Sequence, residues 1–362
     1  AHEGEQYYTA RCDNIKEILR GAKTFEKFDA AISSHYMFIL GDLNFRSKFG
    51  EYGDLEHEEK FEKAMNLINA KDYLSLYAYD ELQLGIKNGE LLVNFMTLPC
   101  NFPPTFKMLR EKGFVYKDQR VPSYTDRILF KAADGMSKYL KPLAYEPCPD
   151  FTTSDHKPIR GAFTLRLNEG IGNSGSDEET LPNSIRLVFS NMSCTDLPVM
   201  DVGGSSDPYI KFIWDGANMS SDGESGKSRR TLMGSQSKWP RTKTKPKTLN
   251  PVWSEEVGLI VDTLVGTDAI LFITVMDYDA ASQDDLMCTL PLNIRKLMRD
   301  SMRDHTRKVV VDRPLLKYGK PTGRIKFDVT ISDLASNQEA ANPKKKQGIF
   351  SRAKGYFKSD KK

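Results

Sequence analysis

The sequence predicts two folded parts in tandem, an α/β sandwich followed by an all-β sandwich, and three observations predict it. The chain has 362 residues, more than the roughly 100–200 of a typical single domain. Its apolar pattern is mixed helical and extended before residue 168 and purely extended after residue 183. Between the two lies NEGIGNSGSDEETLPN, Asn168 to Asn183, a Gly/Ser/acidic stretch without apolar periodicity, which is linker composition. The expected division is therefore 1–167, a linker over 168–183, a β domain over 184–335 and a tail over 336–362.

Each element follows from local pattern. Tyr36 to Leu40 (YMFIL) and Ile128 to Phe130 are apolar runs of strand character. Between them, Phe61, Met65 and Ile68 fall at i, i+4 and i+7 among charged neighbours, predicting a helix over Glu56 to Ala70. Beyond the linker, IRLVFS, PYIKFIW, AILFITVMD, KVVVD and GRIKFDVTI are separated by Gly, Asn, Asp and Pro, predicting roughly eight antiparallel strands. Asp215 to Asn250 is polar, with eight basic and no acidic residues between Lys227 and Lys247, and reads as a long loop leading into an edge strand.

Composition excludes several classes. Hydrophobic residues make up 39% and charged residues 28%, unlike disordered or fibrous chains. The longest apolar-rich run, Ala269 to Met276, is eight residues against the ~20 that span a bilayer. AHEGEQYY at the start has no apolar core of a signal peptide, and a first residue other than Met leads us to expect a fragment. Five scattered cysteines without CxxC argue against disulfides or a zinc site and for a reducing, cytoplasmic compartment. Net charge is +3, yet residues 342–362 carry eight basic side chains against Asp360 alone. The positive excess therefore belongs to the tail, where Phe350, Tyr356 and Phe357 interleave the charges, and points to an anionic membrane surface or to a solvated tail.

Three segments carry chemistry. Phe38 to Arg46 (FILGDLNFR) is an apolar strand ending in Asp42 and Asn44, which on an extended chain share a face. Arg120 to Leu129 (RVPSYTDRIL) offers two guanidiniums and a phenol around a Pro-restricted turn, suited to a ligand with several phosphates. Thr153 to Pro158 (TSDHKP) sets an acid beside an imidazole. Taken singly these are a turn, a solvated pair and a helix cap; their conjunction and order are far more specific.

In these motifs the sequence resembles the inositol polyphosphate 5-phosphatases, relatives of deoxyribonuclease I, with Ile39 where the family usually has Trp. FPPTFK at 102–107 is also similar to the family's. The resemblance implies the C-terminal part of a four-layer deoxyribonuclease I-like fold and Mg²⁺-dependent hydrolysis of the 5-phosphate of a phosphoinositide or inositol polyphosphate. It implies that Asp42 positions or deprotonates the attacking water, Asn44 holds a phosphoryl oxygen, and His156, oriented by Asp155, stabilises the transferring group. Tyr116, Lys117, Arg120, Tyr124 and Arg127 would bind the substrate's other phosphates. It also places the Glu ligand of Mg²⁺ before Ala1, so the chain alone is expected to be inactive. His35 reads as a core or cap residue and His57 and His305 as solvated.

In the second part, acids cluster in DVGGSSDPY and DYDAASQDD. With SDPYIK and LNPVWSEE they resemble a C2 domain, the membrane-targeting β-sandwich. The resemblance implies Ca²⁺ bound by Asp201, Asp207, Asp277, Asp279 and Asp285, oxygen ligands of the kind Ca²⁺ needs in number. Lys243, Lys245 and Lys247 alternate, so on a strand they would share a lipid-binding face, or simply protect an edge. The expected activity is a membrane-associated 5-phosphatase; the alternative is a non-catalytic calcium- and phospholipid-binding adaptor. Nucleic acid is not an expected partner, for no reading motif is present.

Overall fold

In a computed structural model, the chain is described over residues 5–22, 28–51, 54–166, 184–214, 219–221, 239–262, 270–280, 282–302 and 306–333. The expected linker, most of the basic loop, His305 and the aromatic, basic tail lie outside these residues. None of the described helices is long and apolar enough to cross a membrane.

The first part is α/β. Helix α1 (Tyr8–Gly21) buries Cys12, Ile15 and Leu19 along one face. Helix α2 (Ala30–Ser33) is capped by Asp29, which accepts from Ile32 N at 3.1 Å. Strand β1 (Tyr36–Asp42) is followed by α3 (His57–Asn69), the expected helix, opened by a reciprocal Glu56/Glu59 box. Then come α4 (Tyr73–Tyr77), α5 (Glu81–Lys87) and strand β2 (Asp126–Ala132). β2 runs antiparallel to β1, from Tyr36 opposite Ala132 to Asp42 opposite Asp126. Met37, Ile39 and Leu129 face the core formed with α1, while Phe38 and Leu40 stand on the other face near Phe163. Strands β3 (Leu140–Pro147) and β4 (Ile159–Leu165) form a second antiparallel pair.

The second part is an antiparallel sandwich of nine strands among the described residues, against roughly eight expected. They are β5 (Ser184–Thr195), β6 (Pro208–Trp214), β7 (Met219–Ser221), β8 (Val252–Trp253), β9 (Val257–Asp262), β10 (Ile270–Asp277), β11 (Asp285–Asn293), β12 (Lys308–Lys317) and β13 (Lys320–Asp333). The main path runs β6-β10-β11-β12-β13-β5-β9-β7, and β8 pairs with β5. Phe189, Phe212, Trp253, Ile273 and Phe327 lie in its core. One helix departs from the all-β expectation: α6 (Ile294–Met302) buries Ile294, Leu297, Met298 and Ser301, an i, i+3, i+4, i+7 pattern that the strand reading passed over.

The polybasic edge is also corrected. Residues 240–245 do run beside β6, with Phe212 N donating to Pro240 O and Thr242 N to Ile210 O, both at 2.9 Å. Lys245 N donates to Pro208 O, one residue out of that register, and Lys247 turns into the left-handed region at φ 54°. The slip breaks the alternation, so Lys243, Lys245 and Lys247 do not line one strand face.

The two parts share a core. Phe28, Ile32, Ala133 and Met136 pack with Ile213, Ile270, Phe272 and Leu316, and the Phe28 and Phe272 rings stand 4.7 Å apart. This explains why β10 is buried along nearly its whole length: both of its faces are covered. Tyr318 and Gly319, both left-handed, make the two-residue turn between β12 and β13 and insert it into the first part. There Asp29 accepts from Tyr318 N at 3.0 Å, Val93 N donates to Gly319 O at 3.0 Å, and a Cβ at Gly319 would lie 2.8 Å from Leu19. Asp134 takes Lys296 at 2.7 Å and Arg313 at 3.0 Å.

Two outcomes follow for urea unfolding. Phe272→Ala should lower stability by about 3–5 kcal/mol and shift both parts together in one transition. Lys131, buried and donating to Ala31 O beside Asp29, has its ammonium pulled down by burial to about 8. An unfolded lysine keeps its proton up to 10.5, so the unfolded state binds more protons in that window and stability rises with pH across it. Lys131→Met should remove that rise.

Candidate active site

The ladder between β1 and β2 brings the first two motifs together, because Asp42 ends one strand directly opposite Asp126, which begins the other. Asn44 does not continue the strand, as the sequence reading assumed. It adopts φ 60°, a conformation Asn tolerates, and its N–H donates to Asp42 Oδ1 at 2.9 Å in a local turn. The side chains are therefore brought together by a turn and not by the pleat of a strand. Arg46 then donates to Asn44 Oδ1, holding the amide with its NH₂ as the donating end, and lies 4.8 Å above the Phe106 ring.

Phe106 bridges the third motif to the second. Its backbone pairs with both Ser123 and His156, and its ring stacks on the His156 imidazole at 4.5 Å. His156 Nδ1 lies 3.0 Å from Asp126 Oδ2, which also accepts from Thr105 Oγ1 at 2.6 Å and from Thr125 Oγ1 at 3.0 Å. The partner that orients His156 is thus Asp126, and Asp155 instead faces Lys107 at 3.5 Å. A carboxylate next in sequence points away from its neighbour on extended backbone, whereas one from a paired strand can meet it. The sequence reading assigned Asp126, Thr105 and Lys107 no role, although all three lie in motifs it quoted; the position of Asp126 at the start of a strand paired with Asp42 was the available signal.

Electrostatics follow the geometry. Partial desolvation, with the Asp126 charge added, holds the Asp42 carboxyl above the ordinary carboxylate range. Burial alone would lower His156, but the hydrogen bond and charge of Asp126 outweigh it and set His156 above the ordinary imidazole range. A carboxyl group and an imidazole, each perturbed by its neighbours, therefore adjoin at the candidate site.

Three of the five expected phosphate-binding residues are packed away. Arg127 is fully buried and paired with Asp80 at 2.6 Å. Tyr124 is 1% exposed and donates to Phe102 O at 2.9 Å, and the Tyr116 hydroxyl donates to Pro104 O at 2.7 Å. Arg127 and Tyr124 are thus buried within the fold, while half-buried Tyr116 has its hydroxyl taken by backbone. Lys117 is half-buried and Arg120 exposed, as a binding role requires.

At one end of the β-sandwich the acid loops gather. Asp207 N donates to Asp277 Oδ1 at 2.6 Å, and burial followed by the Asp201, Asp279 and Asp207 charges raises the Asp277 carboxyl. Asp279 N donates to Asp284 Oδ1 at 3.2 Å. Among the described residues no three His, Cys, Asp or Glu side chains close to a metal cage, but the oxygen-only, mutually repelling donors suit a hard cation.

Residues 1–162 match the family described as endonuclease/exonuclease/phosphatase family 2, and residues 185–309 match the C2 domain. The chain thus joins a segment similar to that phosphatase family to one similar to the C2 domain. The phosphatidylinositol 3,4,5-trisphosphate 5-phosphatase 2A of Danio rerio is 27% identical over 52% of this chain and 14% of its own length. The phosphatidylinositol polyphosphate 5-phosphatase type IV of Mus musculus is 32% identical over 38% of this chain and 20% of its own. Inositol polyphosphate 5-phosphatase K of Mus musculus is 32% identical over 44% and 35%. The chain thus spans well under half the length of each of these relatives. A synaptojanin inositol polyphosphate 5-phosphatase domain, solved with inositol (1,4)-bisphosphate and calcium ion, superposes with TM-score 0.37 at 26% identity over 45% of this chain and 44% of its own.

The dyad in the phosphatase segment is testable by NMR. Wild-type His156 should titrate above the ordinary imidazole value, and Asp126→Asn should bring it below the wild-type value, as burial is then opposed only by the smaller influences of Asp42 and Asp155. The stability that a raised histidine contributes is present at low pH and lost as pH rises through its folded value, so the variant should also flatten that loss.

Proposed function

We propose that residues 1–167 form the C-terminal part of a phosphoinositide or inositol polyphosphate 5-phosphatase site, and that residues 184–335 carry it to anionic membranes. In this reading 168–183 is the linker and 336–362 a basic tail that adds charge attraction. The observation that carries it is the convergence of Asp42, Asn44, Asp126 and His156 from three separate motifs onto one end of the β1–β2 ladder.

The reaction is hydrolysis of a phosphate monoester: water attacks phosphorus, the bond to the inositol oxygen breaks, and the leaving oxygen takes a proton. Asp42, raised above the ordinary carboxylate range, orients the water and accepts its proton. Asn44 donates to a phosphoryl oxygen from an amide fixed by Arg46. His156, held by Asp126, offsets in its protonated form the negative charge that develops on the transferring group. Lys117 and Arg120 contact the remaining phosphates. Mg²⁺, when bound, supplies further positive charge to the phosphoryl oxygens, and the exposed Asp42 carboxylate is an oxygen donor suited to it. The full-length protein should release phosphate from a 5-phosphorylated inositide in Mg²⁺, and Asp42→Ala or His156→Ala should lower the rate by about 10²-fold or more. Equal release by the variants would leave the adaptor reading.

The C2 domain has apolar side chains at the tips beside the acids: Val202 is fully exposed, and Val199 and Tyr278 are 50% and 42% exposed. With Ca²⁺ neutralising Asp201, Asp207, Asp277, Asp279 and Asp285, these tips can enter an interfacial layer. Vesicles containing phosphatidylserine should sediment the protein with Ca²⁺, and Asp277→Asn/Asp279→Asn should abolish the Ca²⁺ dependence. Val202→Asp should weaken binding at saturating Ca²⁺.

A further inference from the structure

Two consecutive acids that the mechanism does not use stand behind both strand ends of the site. Residues 79–81 lie antiparallel to 46–48, with Lys48 N donating to Tyr79 O at 2.7 Å and Glu81 N to Arg46 O at 3.0 Å. From there the two side chains diverge. Asp80 caps α5 by accepting from Gln83 N at 2.8 Å, and the same oxygen takes Arg127 Nη1 at 2.6 Å. Glu81 Oε2 accepts from Arg46 N at 2.9 Å and Arg11 Nη2 at 2.5 Å.

The reach of each acid ends at the chemistry. Arg127 follows Asp126, and successive side chains of a strand point to opposite faces, so fixing Arg127 in the core sets the direction in which Asp126 meets His156. Arg46 holds the Asn44 amide and stacks over Phe106, which in turn stacks on His156. One acid therefore governs the second motif and its neighbour governs the first.

The Asp80–Arg127 pair is also a poor device for stability. Both side chains are 0–1% exposed, and Asp80 Oδ1 and Arg127 Nε have no hydrogen-bond partner among the described residues. Burying two charges costs several kcal/mol per ion, and apolar replacements of such pairs are often neutral or stabilising. A pair retained with unmet polar atoms is better explained by the direction it imposes than by the energy it adds.

The geometry points to Asp80 and Glu81 as positioning residues of the phosphatase site, holding Asp126 through Arg127 and Asn44 through Arg46. The role in turnover rests on the phosphatase reading above; the role in placing the Asp126–His156 dyad does not.

The test uses the full-length protein and two independent readouts, turnover and the downfield imidazole N–H proton of His156 bonded to Asp126, assigned by its loss in His156→Gln. Asp80→Asn keeps a capping side chain and removes the charge. It should lower kcat by about 10²-fold with KM little changed, and lose the imidazole signal. Glu81→Gln keeps an acceptor for Arg46 N and should cost less. Because Asp80→Asn leaves Arg127 buried and unpaired and can fail to fold, Asp80→Leu/Arg127→Met is the deciding variant. It should recover the wild-type Tm while kcat and the signal stay lost. If the double variant recovers kcat and signal along with Tm, or a folded Asp80→Asn keeps both, the proposal is overturned. A wild type that releases no phosphate, with the signal still lost in both Asp80 variants, sinks the phosphatase reading and leaves the positioning role standing.

Discussion

A two-stranded antiparallel ladder is marginal in water, yet the candidate site hangs on one, the seven-residue pairing of Tyr36–Asp42 with Asp126–Ala132. Its register alone sets Asp42 beside Asp126, and a slip of one residue would turn one carboxylate to the face opposite the other. The ladder is secured at both ends by chain that is distant in sequence. At the Asp42/Asp126 end, the acids before and at the start of α5 grip Arg127 and the Arg46 backbone. At the Tyr36/Ala132 end, Ala133 and Met136 sink into the apolar contact with Phe272 and Leu316 of the C2 domain. The exposed Leu40 face contributes little to this hold, at 68% accessibility.

The same ladder joins the two parts of the chain mechanically. The C2 domain meets the phosphatase segment through a buried apolar core, an inserted hairpin turn and the double ion pair of Asp134, not through a tether alone. Its β10 strand is nearly all apolar, and in an antiparallel sandwich only one face of such a strand finds cover within its own domain. The other face is covered by Phe28 and Ile32. The shared core thus holds the two parts in a set mutual orientation.

Charges are treated differently in the two halves of this design. In the core, Arg127, Arg11 and Lys131 are deprived of water and matched to Asp80, Glu81 and a backbone carbonyl. At the candidate site, Asp42, Asp126 and His156 remain partly accessible and perturb one another, as titratable groups at functional sites commonly do. In the C2 loops, acids crowd Asp277 without cationic side chains among its largest influences, donors of the kind that suit a hard cation.

Much was legible in sequence because it is local. Apolar runs located β1, β2, β5, β6, β10, β12 and β13, the i, i+4, i+7 spacing located α3, and the three motifs named Asp42, Asn44 and His156 as neighbours by resemblance. Composition marked the break at residues 168–183 and the acids at 201–207 and 277–285. What sequence could not decide is which of two chemically equal side chains faces a ligand. Arg127 and Arg120 read alike, but strand phase buries Arg127 against Asp80, whereas Arg120 stands exposed in a bend before the strand. Asp155 and Asp126 read alike too, and only the pairing of β1 with β2, and of Phe106 with His156, brings Asp126 to the imidazole. Residue type and spacing determine which chemistry is possible; register and burial, which depend on contacts between remote parts of the chain, decide which residue performs it.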